Sequence, residues 1–179
     1  MTTKDKILDA AEKRVRKTGF FETSFRDLSA DVGIKSASVH YHFPTKTDLG
    51  EALVARYSDN FKTQLDKIDT SDMRSALDEF VALYAGALVL GESICLCAIM
   101  GAEAIGLPEN VRTRIEAFFN MNRSWLKSLL KKNGVKATVE SANLIIAALE
   151  GAMIVASASN DRALFDQVAK AAVGCIAEL

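Results

Sequence analysis

The sequence predicts an all-α chain of about nine helices, and three observations carry that expectation. The only two prolines, Pro44 and Pro108, fall between segments in which apolar residues recur every three or four positions. No run alternates apolar and polar residues for long enough to make a strand. Of the 179 residues, 49% are hydrophobic and 25% charged, a composition that buries a substantial core and argues against disorder.

Each helix has its own signal. Ile7, Leu8, Ala11 and Val15 share one face of a helix over about 4–17, with Thr3 as N-cap and Gly19 as terminator. Ser24 caps a short helix that turns Phe25, Leu28 and Val32 inward, and Gly33 breaks it. Ser36 caps a second short helix ending near Phe43, because Pro44 forbids continuation, and Thr45 caps the next start. Over about 46–67, Leu49, Leu53, Tyr57, Phe61 and Leu65 recur every four residues. Asp72 opens a helix with Leu77, Phe80, Val81, Tyr84 and Leu88 inward, and 93–105 reads as a short, very apolar helix. Pro108 fits the first turn of a long helix carrying Val111, Ile115, Phe118, Phe119, Leu126 and Leu129, which Gly134 stops. Two last helices are expected over about 138–157 and 162–177.

Charge is nearly balanced at -1, but unevenly spread: nine basic and seven acidic residues through Gly50, thirteen and sixteen beyond it. That mild bias permits nucleic-acid binding at the front end without demanding it. The three cysteines, Cys95, Cys97 and Cys175, are an odd number and make no disulfide framework, so a cytoplasmic location is expected. Met1 to Lys6 lacks the apolar core of a signal peptide. The most apolar stretch, around Leu144 to Ala158, is interrupted by Glu150 and falls short of the roughly 18 apolar residues of a membrane span, so no membrane partner is expected.

Residues 24–43 have the proportions of a helix-turn-helix: short helix, glycine-containing turn, short helix. A reading helix must be slim where it enters a major groove about 12 Å wide. Lys35, Ser36, Ala37 and Ser38 supply one cation and three small residues there, and the free backbone amides at that end favour phosphate. Val39 and Phe43 anchor the helix to its core, while His40, Tyr41 and His42 present donors and rings.

The run from Thr23 to Ile34, TSFRDLSADVGI, followed by KSASVHYHFPTK from Lys35 to Lys46, resembles the DNA-binding domain of the tetracycline-repressor (TetR) family, and the resemblance covers about 4–55. It implies an N-terminal three-helix helix-turn-helix domain, 1–46, followed by a helical ligand-binding and dimerisation bundle, 47–179. It also implies roles: Ser24 capping its helix against a phosphate, Arg26 reaching phosphate or a base edge, Ser36, Ala37 and Ser38 facing the bases, and His42 and Lys46 holding the DNA backbone. The family usually has Tyr where this chain has His40, so the phosphate contact falls to Tyr41 or, more weakly, to His40.

Catalytic, cofactor and metal sites are not expected. His40 and His42, the only histidines, stand two apart on a helix and point to different sides, whereas helical metal pairs use i,i+4. Cys95 and Cys97 diverge in the same way and read as small core residues, with an electrophile- or redox-sensing thiol as the alternative.

The resemblance places a cavity for a small apolar or amphipathic ligand among the central helices, with Phe80, Tyr84, Cys97, Glu103, Phe118, Asn122 and Trp125 as candidate contacts. The last two helices carry Ala147, Ala148, Gly151, Ala152 and Ala156, then Phe165, Val168, Ala172 and Ile176. Small residues let helices approach closely, so Ala148, Gly151, Ala152, Val168 and Ala172 are expected in a four-helix interface with a second copy. The reading is thus a repressor that binds a palindromic operator as a homodimer and is released by a ligand. The rival is a helical ligand-binding or interaction protein without DNA binding.

Overall fold

A computed structural model describes residues 1–89, 93–135 and 139–177, the side chains at 139, 176 and 177 excepted. Position 138, where the eighth helix was expected to begin, therefore lies outside the described residues, as does the side chain expected of Ile176. The described helices are α1 Thr3–Thr18, α2 Phe25–Val32, α3 Ser36–His42, α4 Lys46–Leu65, α5 Met73–Ala87, α6 Leu96–Ala102, α7 Glu109–Lys132, α8 Val139–Ser159 and α9 Arg162–Ala177, with a 3-10 turn at Ala104–Gly106. No strand occurs among the described residues. A single antiparallel bridge joins Val89 and Ser93 where a helix was expected to begin, so the helix starts only at Leu96 and Cys95 precedes it.

Local chemistry sets the helix ends. The first cap is Thr2, not Thr3: Thr2 Oγ1 accepts from the Asp5 N–H at 3.1 Å, and Asp5 accepts from the Thr2 N–H at 2.8 Å. Both threonines could cap, but only Thr2 has a carboxylate three residues on. The same box recurs at Ser24 with Asp27 and at Thr45 with Asp48. Asp72 caps α5 alone, accepting from the Ser75 N–H at 2.7 Å. Lys35 holds the cap position of α3 without a side-chain bond, and Ser36 is the first helical residue.

The chain divides into two compact units: residues 1–59 with 96–116, and residues 60–95 with 117–179. In the first, α1 packs on α2 and α6, and α2 on α3. Its core is Ile7, Leu8, Val15, Leu28, Val39, Phe43, Leu49 and Leu53, all buried. Arg14 pairs with Asp31 through two nitrogens, tying α1 to α2, and Arg56 reaches Asp9 at 2.6 Å and Glu12 at 3.2 Å, tying α4 to α1. Gly50 lets Phe20 lie against α4, since a Cβ there would stand 2.9 Å from Phe20 Cζ.

In the second unit α8 and α9 pack along each other, and both touch α5. Leu77, Phe80, Tyr84, Phe118, Leu126, Ile145, Leu149, Met153 and Phe165 form its core. Residues 140–159 of α8 are long and apolar enough to cross a membrane by length and composition alone. In this fold α8 is a core helix, with Ala142, Ile145, Leu149 and Met153 fully buried.

Candidate nucleic-acid interface and ligand core

The short helix α3 divides cleanly. Val39 and Phe43 are buried, while Lys35, Ser36, Ala37, His40 and Tyr41 are exposed and Ser38 and His42 half-buried. Its N-terminal turn therefore offers a slim face with hydroxyls, the Ser38 amide being donated to the Lys35 carbonyl at 2.9 Å. Gly33 (φ 70°, ψ 37°) ends α2 in the left-handed conformation and sets the turn into α3. Tyr41 is 83% exposed and meets the His42 ring edge-on at 5.2 Å, and His40 meets Phe25 edge-on at 4.7 Å.

Two residues expected at phosphate have partners within the fold. Ser24 Oγ donates to Asp27 at 2.6 Å, which holds the Asp27 carboxyl below its usual range. Lys46 Nζ donates to the Phe21 carbonyl at 2.7 Å and lies 5.0 Å from the Phe20 ring centre. Desolvation lowers the Lys46 pKa, against attraction from Glu103 and Glu22. An ammonium has three N–H groups, so one bond to Phe21 leaves two for another acceptor. Arg26 is exposed.

Five of the residues expected at a ligand come together in the second unit. Phe80 stacks on Trp125 at 5.2 Å and leans on Tyr84 at 5.2 Å; Phe61 bridges Tyr84 at 5.5 Å and Phe118 at 5.2 Å. Asn122 is fully buried, with Nδ2 donating to the Phe118 carbonyl at 2.8 Å. Cys97 and Glu103 belong to the first unit. Glu103 has its own task there: it accepts from the Phe20 N–H at 2.8 Å, beside Gly19, where any Cβ would collide with the carboxylate.

Sequence reasoning passed over Glu150 as a residue with a role. It is 8% exposed, neither carboxylate oxygen accepts an N–H or O–H hydrogen bond, and burial, with Cys95 beside it, pushes its pKa up to about 10. A lone carboxylate inside the most apolar run of the chain was the available signal. Cys95 and Cys97 are both buried, and Cys175 is exposed.

The residues expected at an interface on the last two helices differ in exposure. Ala152 and Ala172 are buried within their own chain, where α8 and α9 pack on each other, and Ala148 and Val168 are half-buried. The outward face of α8 carries Leu144, Ala147, Gly151, Ile154, Val155 and Ala158, exposed except half-buried Gly151, which has open space at its Cβ position.

Comparison with known proteins agrees with this anatomy. Residues 7–53 match the model of bacterial regulatory proteins of the tetR family, and residues 74–171 match the LmrA/YxaF-like transcriptional regulator C-terminal domain. A TetR-family regulator from Agrobacterium tumefaciens superposes with a TM-score of 0.89 at 29% identity, covering 97% of this chain and 96% of that one. A TetR regulator from Legionella pneumophila gives 0.85 at 28%, covering 98% of each. The nucleoid occlusion factor SlmA of Marinomonas sp. is 24% identical over 81% of this chain and 78% of its own.

Proposed function

We propose, for a chain that belongs to the TetR family of transcriptional regulators, a repressor that grips a palindromic operator as a homodimer and lets go when a small molecule binds. A DNA-binding N-terminal domain and a ligand-binding C-terminal domain are given by the family; the operator symmetry, the sign of regulation and the release step are our reading. So are the division of labour, with 1–46 on DNA and 47–179 for ligand and dimer, and a cytoplasmic, non-enzymatic role.

The observation that carries it is α3. Its buried face is apolar, and its open N-terminal turn is built of Ser36, Ala37 and Ser38. Such a helix fits a major groove, where wider side chains at that end would collide. A two-fold dimer sets its two α3 helices one DNA turn apart, so half-sites about 34 Å apart are expected. Lys35, His40, Tyr41 and His42 on α3 and Ser24, Arg26 and Lys46 flanking it supply the DNA contacts in this reading, Arg26 to phosphate or a base edge and Lys46 through the N–H groups that Phe21 leaves free, while the Ser24 hydroxyl would have to leave Asp27 to reach a phosphate. The outward stripe of α8, Leu144 to Ala158, supports pairing with a second copy through α8 and α9. Release then follows if the ligand prefers a dimer spacing that no longer fits the operator.

Selecting genomic DNA fragments on the purified full-length protein tests this reading. A palindromic fragment should be enriched, and a fragment pool with no common sequence would overturn it.

A further inference from the structure

We propose that the Glu150 carboxyl anchors a protonated apolar amine in the core of the second unit. The inference deepens the reading of that unit as the ligand-binding half and rests on it.

The argument starts from which hydrogen-bonding positions the core leaves open. Neither Glu150 oxygen accepts an N–H or O–H, with only the Cys95 thiol beside them, and in the same unit the side-chain oxygen of fully buried Asn122 likewise has no N–H or O–H partner. A buried carboxyl that no N–H or O–H reaches calls for one, because buried polar groups ordinarily have their partners. A neutral carbonyl ligand would take the one O–H of a protonated Glu150 and leave these oxygens as they are. An ammonium supplies several donors at once.

The protein does not supply that cation among the described residues. On α5, Arg74, Asp78 and Glu79 are exposed, leaving Tyr84 as the buried titratable group. On α9, Arg162, Asp166, Lys170 and Cys175 are exposed. On α7, Lys127, Lys131 and Lys132 are exposed and Arg123 is bonded to Asn120 and to Asn143. The Cys95 thiol, from the segment ahead of α6, is the group beside the carboxyl. The same unit holds the Trp125–Phe80 stack with Tyr84, Phe61 and Phe118, rings whose faces attract a cation and whose area suits an apolar tail.

Burial, with Cys95 beside it, holds the carboxyl as the neutral acid. A bound ammonium reverses that preference. The acid gives its proton to water, the carboxylate pairs with the ammonium, and the net charge of the core is unchanged. Binding therefore expels one proton, and affinity rises about tenfold per pH unit while both acid and amine stay below their pKa values.

Calorimetry of the full-length protein with phenylbutylamine and with phenylbutanol tests this, in two buffers of different ionisation enthalpy at roughly pH 6.5 to 8.5. The amine should bind at least about tenfold tighter than the alcohol at the upper pH. It should release about one proton, and tighten about a hundredfold across that range. Glu150→Gln should lose the preference and the proton release while keeping the alcohol. Equal affinity for amine and alcohol, no amine binding, or no proton release from the wild-type protein would overturn the anchor. So would a Gln variant that still prefers the amine. Operator release is read separately by gel shift: amine binding that depends on Glu150 but leaves the operator bound upholds the anchor and sinks the induction reading.

Discussion

Replacing Glu150 by Gln should stabilise the protein and flatten its response to pH. The unfolded chain ionises Glu150 near 4.5, and the fold moves that to about 10. At pH 7 the folded state therefore holds a neutral acid that the unfolded state ionises. The two and a half pH units between 4.5 and 7, at about 1.4 kcal/mol each, make a cost of about 3 kcal/mol. The sign follows: stability tied to this group is complete below pH 4.5 and is lost steadily as pH rises toward 10. Asp5, Asp27, Asp31 and Asp69 are held below their ordinary range, so their contributions are lost only at more acid pH and leave the window from 5 to 8 alone. Urea melts followed by circular dichroism at fixed protein concentration give the free energies. Wild-type protein should lose about 4 kcal/mol between pH 5 and 8, and Glu150→Gln, neutral throughout, should lose almost none of that. Parallel pH profiles for the two proteins would refute a neutral buried acid at this position.

Three further outcomes follow from other parts of the fold. Gly33→Val forces a branched side chain into the left-handed turn (φ 70°) and should cost about 1–2 kcal/mol in the same melts, with operator affinity reduced; an unchanged melt would remove the conformational argument. Gly151→Arg adds a charged side chain where the chain itself has open space, so the protomer should fold yet sediment as a monomer; a dimer would move the interface off α8. Cys95 and Cys97 are buried, and a carboxyl stands beside Cys95 in place of the positive charge that activates thiolates, so the double Cys→Ala variant should still be released by the ligand. A variant locked on DNA, while a quinone releases wild type, would favour the thiol sensor.

What the sequence made legible was local. The caps at Ser24 and Thr45, the break at Gly33 and the stop at Pro44 each act within four residues, and the structure has them where those residues stand. Long-range partners were out of reach. Glu103 is committed to the Phe20 N–H, 83 residues away, and Lys46 to the Phe21 carbonyl, 25 away, and no periodicity encodes either. The small residues of α8 and α9 were recognisable as packing surface, but their pattern does not say which side meets the neighbouring helix of the same chain. Ala152 and Ala172 face inward for that reason, leaving Leu144, Ile154 and Val155 on the open side. Glu150 stood out as a charge in an apolar run, yet only the packed core reveals that no N–H or O–H reaches its carboxyl.

The central claim, that α3 enters the major groove, is tested most directly by fluorescence anisotropy of a selected operator fragment with wild-type protein and Ala37→Trp. Ala37 is exposed at the start of α3, so the tryptophan should leave the melt nearly unchanged. Wild type should bind with a Kd of about 10⁻⁸ M or tighter at physiological salt, and the variant should fall to its non-specific affinity, at least about a thousandfold weaker. Equal affinity of the two proteins for the operator would take α3 out of the groove.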